Sequence, residues 1–534
     1  VVSVFYQNGH FTTEVFTKLI HSAKAMRSLR NSLILAPTLS ITVGFIGISL
    51  VLITEYFDIK GANILRLGYM TTLIYGGIIL VSGYKFIYKT GILTTLFAKI
   101  IPSFPIDWFE GYWAVLFVMT FACTSNHMIF LRNAMRSVDF QTVEAAQNMG
   151  ASQFRILTKV VLPVLTPSLM AVTILTFITG LSATSAPLLV GGQGFQTITP
   201  MILTFANNVS SRPLAALLAL FLGVATIILL TIMIQIEKRG HYMSVSKVKT
   251  TIVKQKIRNP ILNVLAHVYA YLLFLIYVIP VALVVLFSFT DSATIASKHL
   301  TLSSFTLENY ISIFQKASSY KPFVVSIAYS AIAASFVAII VLIACRILQK
   351  RKDRLGGALE YGLLIPWLLP TTLMALGLIT TYNTPRVWMF NKVLTGTSVI
   401  MLIGYIIIKI PFTLRMTKAA FFSLDDSLED AARNMGAKPF YTFMRVQLPI
   451  ILPTVLAIFA LNFNGLLGDY DMSVFMYHPL NKPLGVYIKS LTDSETNADN
   501  AALTFVYAVL MMVISGAVMY LVYGRGNKVD KSKD

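Results

Sequence analysis

The sequence predicts an all-α membrane protein, a polytopic helical bundle built from two homologous halves. Three observations carry that prediction. Of 534 residues, 56% are hydrophobic and only 12% charged, with a mean hydropathy of +0.72, far too apolar for a soluble globular chain. About eleven segments are long enough to cross roughly 30 Å of hydrocarbon, where helices satisfy their own backbone groups. Finally, the stretch Glu144–Pro167, EAAQNMGASQFRILTKVVLPVLTP, returns as Asp430–Pro453, DAARNMGAKPFYTFMRVQLPIILP. The offset that pairs Gly150 with Gly436 also pairs Asn148 with Asn434, Phe154 with Phe440, Leu162 with Leu448, Pro163 with Pro449 and Pro167 with Pro453. A shared register of this kind is the mark of a duplicated architecture.

The elements follow in order. Residues 1–30 mix Phe5, Phe11, Phe16 and Leu19 with polar residues and read as a loop with a short amphipathic helix. Apolar spans are expected near Leu33–Ile53, Ile64–Gly83, Tyr112–Leu131, Leu162–Gly180 and Pro213–Ile236 in the first half. The second half carries six, near Ile261–Phe289, Phe323–Leu348, Leu359–Tyr382, Val399–Ile410, Leu448–Leu467 and Ala501–Tyr523. Between them lies the polar, basic stretch Glu237–Pro260. The expected division is therefore 1–236 for the first half, 237–260 for a cytoplasmic linker and 261–534 for the second half.

The formal net charge of +20 does not imply nucleic acid, because the basic residues sit between apolar segments, where cytoplasmic loops carry them. The linker, the run Arg346–Arg354 and the tail with Arg525, Lys528, Lys531 and Lys533 are basic, whereas Asp469–Asn500 carries Asp469, Asp471, Asp493, Glu495 and Asp499. The positive-inside rule puts the first group in the cytoplasm and the acidic loop outside. Lys85, Lys89 and Lys99 run against it on the outer side. The unequal span count, with Asn31-Ser32 placed like Val325-Ser326, leads us to expect a first half that lacks its first helix, so that Val1 begins outside. Cys123 and Cys345 lie inside apolar segments and read as small buried hydrophobes. His127 has no ligand partner at metal spacing, and no metal site is expected.

The repeated stretch has a legible local chemistry. Asp139 and Asp425 are placed to cap a helix start. Ala145-Ala146 and Ala431-Ala432 follow, and Gly150 and Gly436 sit where a left-handed residue ends a helix. A short helix of roughly ten residues is expected, then a helical stretch with Phe154, Leu157 and Val161 on one face. Pro163 suits the first turn of the next helix.

This pattern resembles the EAA loop of the membrane subunits of ATP-binding-cassette importers: Glu144, Ala145, Ala146, Gly150, Leu162 and Pro163 in the first copy, and Asp430, Ala431, Ala432 and Gly436 in the second. The second copy departs at Asp430, one methylene shorter than Glu, with Glu429 before it. The resemblance implies two type I permease halves in the cytoplasmic membrane of a prokaryote. It also implies that these residues form coupling helices docked on two copies of a separate ATPase subunit, with an extracytoplasmic binding protein delivering substrate. No G-x-x-x-x-G-K-[ST] phosphate loop occurs in the chain, so no cofactor is expected in it, ATP being hydrolysed by the partners. Membrane lipid is the remaining partner.

Candidate substrate-path residues are Ser182, Thr184, Ser185 and Gln196 in the outer loop of the first half, and Asn462, Asn464 and Asp469 in the second, because polar groups at membrane depth are functional candidates. Gly191, Gly192 and Gly194 would allow a docked partner to approach; a re-entrant turn packed on its neighbours explains the loop equally well. The fused halves, LRNS before the first span and SAPLLVGG…FQT after the first EAA copy, look like ferric-iron importer permeases, and relatives importing thiamine, polyamine or phosphonate share those features. An ion-coupled secondary transporter also shows internal repeats, but it needs no EAA loops and couples through buried carboxylates, which these spans largely lack.

Overall fold

A computed structural model describes all residues except 1, 8–9, 74–75, 90–93, 95–96, 98, 102, 106, 136–137, 139, 240–253, 298–300, 352, 386, 423, 425, 494–497 and 531–534. The expected caps Asp139 and Asp425, and most of the basic linker, therefore lie outside the described residues. Among the described residues the chain is helical apart from isolated bridges and a small hairpin, Tyr6–Gln7 with His10–Phe11. Among the described residues, seven helices are long and apolar enough to cross a membrane alone, and three bent helix pairs bring the number to ten. The remaining expected span is the helix Arg212–Arg239. Two compact units result, Val1–Phe287 and Ser288–Asp534.

In the first unit a short amphipathic helix, Glu14–His21, buries Val15 and Leu19. Helix α1 (Ala23–Val51) starts well before the apolar span because Ser22 caps it, its Oγ accepting from Ala25 N. After a bent pair, Ala62–Leu73 with Gly77–Tyr88 at 113°, come α2 (Tyr112–Met135), α3 (Phe140–Asn148), α4 (Leu162–Leu181), α5 (Arg212–Arg239) and α6 (Pro260–Ser288). Small residues let α1 close on its neighbours. A Cβ on Gly47 would stand 2.5 Å from His127 Cβ on α2, and one on Gly180 of α4 would stand 2.8 Å from Ala36 Cα. His127 is thus a fully buried packing residue, and Thr42 and Thr120 join α1 to α2 by a 2.7 Å hydroxyl contact. Lys89, one of the cations on the wrong side for the charge rule, forms an ion pair with Glu110.

The second unit repeats this plan with α7 (Ala317–Lys350), a pair Arg354–Trp367 and Thr371–Tyr382 bent by 103°, α8 (Ser398–Phe422), α9 (Asp426–Asn434), α10 (Leu448–Leu467) and α11 (Ala498–Asp530). Its core includes Ala333, Ile400, Tyr405 and Met472 in one cluster and Val337, Val341, Leu414 and Ile451 in another. Cys345 is buried and free, and Cys123 is free and half-buried.

Two features of the packing were not legible in the sequence. The compact units divide between Phe287 and Ser288, so α6 groups with the first unit although it follows the linker. The reason is aromatic and polar: Tyr69 Oη donates to Ala270 O at 2.7 Å, the Tyr69 and Tyr277 rings lie 5.5 Å apart, and Gly68 leaves room for Phe274. Secondly, Pro163 and Pro449 stand in the first turn of α4 and α10, as expected, but each of these helices is joined to the one before it. A π turn, Leu157–Val161, joins the helix Gln153–Ile156 to α4, and Phe443–Gln447 does the same before Pro449. Proline lacks the N–H that would bond back into the preceding turn and its ring crowds that turn's carbonyl, so the backbone widens there in both halves.

Candidate functional site

Each repeated stretch folds into a nine-residue helix ended by a left-handed glycine, with φ +78° at Gly150 and +80° at Gly436. In the first, Gly150 N donates to Gln147 O at 2.9 Å and Ala151 N to Ala146 O at 3.0 Å; in the second, Gly436 N donates to Arg433 O at 2.9 Å and Ala437 N to Ala432 O at 3.0 Å. These bonds satisfy carbonyls a helix end would otherwise leave open. Ala146 and Ala432 face inward and are buried, while Glu144, Ala145, Asp430 and Ala431 are exposed. The same faces present large apolar side chains: Met149 is 81% exposed and Met435 82%, Phe154 75% and Phe440 76%. Phe154 and Val161, whose spacing suggested one helical face, differ in burial. At the helix end Phe154 projects outward while Val161 is buried.

The two loops are seated differently. Val143, fully buried, is the inward residue of α3; its counterpart on α9 is Glu429. That carboxylate accepts from Arg346 Nη1 and Nη2 at 3.1 and 3.2 Å and from Gln447 Nε2 at 3.0 Å, and Lys350 completes the cluster. Arg346 beside it holds the Glu429 carboxyl down to about 2, with Lys350 adding to the effect. The first loop is strapped instead by the end of the linker. Gln255 N donates to Tyr56 O at 2.8 Å and Asp58 N to Gln255 O at 3.0 Å, while Gln147 Nε2 donates to Gln255 Oε1 at 2.6 Å and Gln153 Nε2 to Lys256 O at 2.6 Å. Tyr56, the first EAA helix and the linker end thus meet at one end of the unit, the end that the charge pattern assigns to the cytoplasm. Sequence reasoning saw Glu429 only as a neighbour of Asp430 and missed the exposed Met149 and Met435. Their position beside each left-handed glycine was the available signal.

Candidate path residues are hydrogen-bonded within their own units, those of the first half within the outer loop and the span end before it, and the two asparagines of the second half between spans. Ser182 Oγ donates to Ile178 O at 2.8 Å, Thr184 Oγ1 to Ser182 O at 3.1 Å, and Gln196 Nε2 to Pro187 O at 3.0 Å; Ser185 is half-buried in the first turn of the helix Ser185–Val190. Asn462 Nδ2 donates to Thr413 Oγ1 at 2.7 Å and Asn464 Nδ2 to Ser515 O at 3.3 Å. Asp469 Oδ2 caps the next turn by accepting from Ser473 N at 3.0 Å. Gly191 and Gly192 make room for the loop itself rather than for a partner: a Cβ on Gly192 would overlap Glu110, and one on Gly191 would meet Phe195 O and Pro187 O. Each outer loop is pinned to the first span of its unit by an equivalent serine, Ile198 N donating to Ser32 Oγ at 3.0 Å and Leu484 N to Ser326 Oγ at 2.8 Å.

Comparison with known proteins agrees with this duplicated layout. The family of binding-protein-dependent transport system inner membrane components matches twice, over residues 37–239 and 256–527, so the sequence repeat divides near the linker while α6 packs with the first unit. A probable ABC transporter permease of Sinorhizobium fredii is 38% identical over 95% of this chain and 89% of its own length. A putative ferric transport system permease of Haemophilus influenzae is 21% identical over 92% of this chain and 76% of its length. A putative 2-aminoethylphosphonate transport permease of Salmonella paratyphi A is 24% identical over 40% of this chain and 78% of its own length. With both halves matched and a 38% identical relative aligned almost end to end, the chain belongs to the binding-protein-dependent transport system inner membrane component family and is the multi-pass membrane permease subunit of an ATP-binding-cassette importer.

Proposed function

We propose that this permease takes up ferric iron delivered by an extracytoplasmic binding protein, and that it couples uptake to ATP through its two EAA helices. The observation that carries the coupling reading is the repeated exposed face. Two short helices, in matching registers, each present an acidic residue, an alanine and a large apolar pair around a left-handed glycine. An apolar patch rimmed by charge on a membrane subunit is suited to burial against another protein. In this reading Glu144, Ala145 and Gly150 meet one ATPase subunit, and Asp430, Ala431 and Gly436 the other, while the expected contacts at Ala146 and Ala432 are corrected: both are buried and seat each helix on its own unit. Glu144 and Asp430 offer a carboxylate to a basic partner, and Ala145 and Ala431 permit close approach.

Iron is favoured because the Haemophilus influenzae ferric relative aligns across both halves, whereas the aminoethylphosphonate relative aligns with 40% of the chain. Cells lacking the gene should take up radiolabelled ferric iron more slowly and grow poorly only under iron limitation. Normal iron uptake together with lost 2-aminoethylphosphonate uptake moves the assignment to the second substrate. Coupling is tested separately by Gly150→Arg and Gly436→Arg. Each should insert normally, yet lose co-purifying ATPase subunit. Normal co-purification and normal ATP hydrolysis in both variants would remove the EAA helices from the coupling role.

A further inference from the structure

We infer that Glu429 is a positioning residue that ties the second coupling helix to two membrane spans, making this half respond to ATPase movement more rigidly than the first. The inference rests on the coupling role proposed above for α9. A helix of nine residues that are polar or small except for the exposed Leu428 buries little of its own, and on α9 the inward side is Glu429 and Ala432. The Glu429 side chain is only 13% exposed. It joins three elements: its own helix, the cytoplasmic end of α7 through Arg346 and Lys350, and the π turn leading into α10 through Gln447. Arg346 Nη1 also donates to Gln447 Oε1 at 2.9 Å, so the two spans are linked to each other as well as to the loop. Its guanidinium lies 5.9 Å from the centre of the Phe443 ring, which closes the cluster from the side.

The first half has the same backbone and different chemistry. Val143 stands in place of Glu429 and Val161 in place of Gln447, and both are fully buried. Apolar contacts are non-directional, and the directional bonds of the first loop, from Gln147 and Gln153, run to the linker end rather than to a charged group on a span. A forked arginine–carboxylate pair has fixed directions, and withdrawing the carboxylate strands a largely buried guanidinium. A pull on α9 is therefore passed to α7 and α10 together, whereas a pull on α3 is partly absorbed.

The test uses the full permease co-purified with its ATPase and reconstituted in nanodiscs, with its binding protein added as isolated. Three quantities are read: the ATPase subunit retained, the ATP hydrolysis stimulated by the binding protein, and the hydrogen exchange of residues 426–434 against 140–148. Glu429→Ala should retain the ATPase but lose stimulation by about tenfold, the effect of one charge-assisted interaction. Exchange should quicken in residues 426–434 alone. Arg346→Glu should behave likewise, and the swap Arg346→Glu with Glu429→Arg should recover most of the stimulation. If the Glu429→Ala permease does not fold into the membrane, the isosteric Glu429→Gln carries the same test. Unchanged stimulation in the single variants, or a swap no better than Arg346→Glu alone, overturns the inference. So does loss of the ATPase itself from Glu429→Ala or Glu429→Gln, which would make Glu429 a docking residue. Failure of the coupling reading shows instead in the two glycine variants, whatever Glu429 does.

Discussion

At Glu429 the sign of the pH dependence can be worked out. Its carboxyl is held at about 2, first by the hydrogen bond from Arg346 and then by Lys350, against partial burial that acts the other way. A carboxyl depressed in the folded protein stabilises it fully above its ordinary range near pH 4.5, and that contribution is lost as pH falls toward 2. The shift is worth on the order of 3 kcal/mol. Glu429→Gln should therefore lower the thermal midpoint of the purified permease by a similar amount at pH 8, 7 and 6. A penalty that disappeared by pH 6 would mean that the carboxyl titrates well above its depressed value. The glycines make a second prediction at this scale. Gly150 and Gly436 have no atom within 4 Å of an added Cβ, so Gly150→Ala and Gly436→Ala cost only the left-handed backbone, about 1 kcal/mol each. Both should stay assembled with the ATPase, whereas the arginine variants add bulk on the exposed face. Equal loss of co-purification from alanine and arginine would assign the defect to backbone strain instead of docking.

Among the elements, the outer loops show how little of a site is visible in a local pattern. The likeness of Asn31-Ser32 to Val325-Ser326 is legible in sequence, but the backbone groups they hold are not, because Ile198 and Leu484 lie more than a hundred residues away. Ser32 and Ser326 are both buried. Replacing either with alanine leaves a buried N–H without its acceptor, at about 1–3 kcal/mol. Ser32→Ala should loosen residues 182–198 and Ser326→Ala residues 468–484, each within its own unit, as read by hydrogen exchange. Equal exchange in wild type and both variants would show that the serines are not the pins. The π turns belong to the same scale. The place of Pro163 and Pro449 in the first turn of a helix is legible in sequence, but the π turn that joins that helix to the preceding one is not.

For the whole molecule, topology is the testable property. The charge pattern assigns the basic linker, the basic tail and both EAA helices to the cytoplasm, and the acidic loop between α10 and α11 to the outside. Reporter fusions after Lys249 and Lys533 should register as cytoplasmic and a fusion within residues 493–500 as external. A cytoplasmic signal from that last fusion would invert the arrangement. By itself, the sequence determined the helical membrane class, the duplication, the left-handed glycines and the family. Each of those is written in contiguous residues, as apolar length, as a repeated register or as a turn that only glycine adopts cheaply. Tertiary structure alone decided that α6 packs with the first unit, that Phe154 and Phe440 project outward, and that Glu429 turns inward beside an outward Asp430. Arg346 and Gln447 reach that carboxylate from 83 and 18 residues away. A cluster assembled by packing has no local period or composition to mark it, and adjacent acidic residues on a helix face different ways only once the helix has something to sit on.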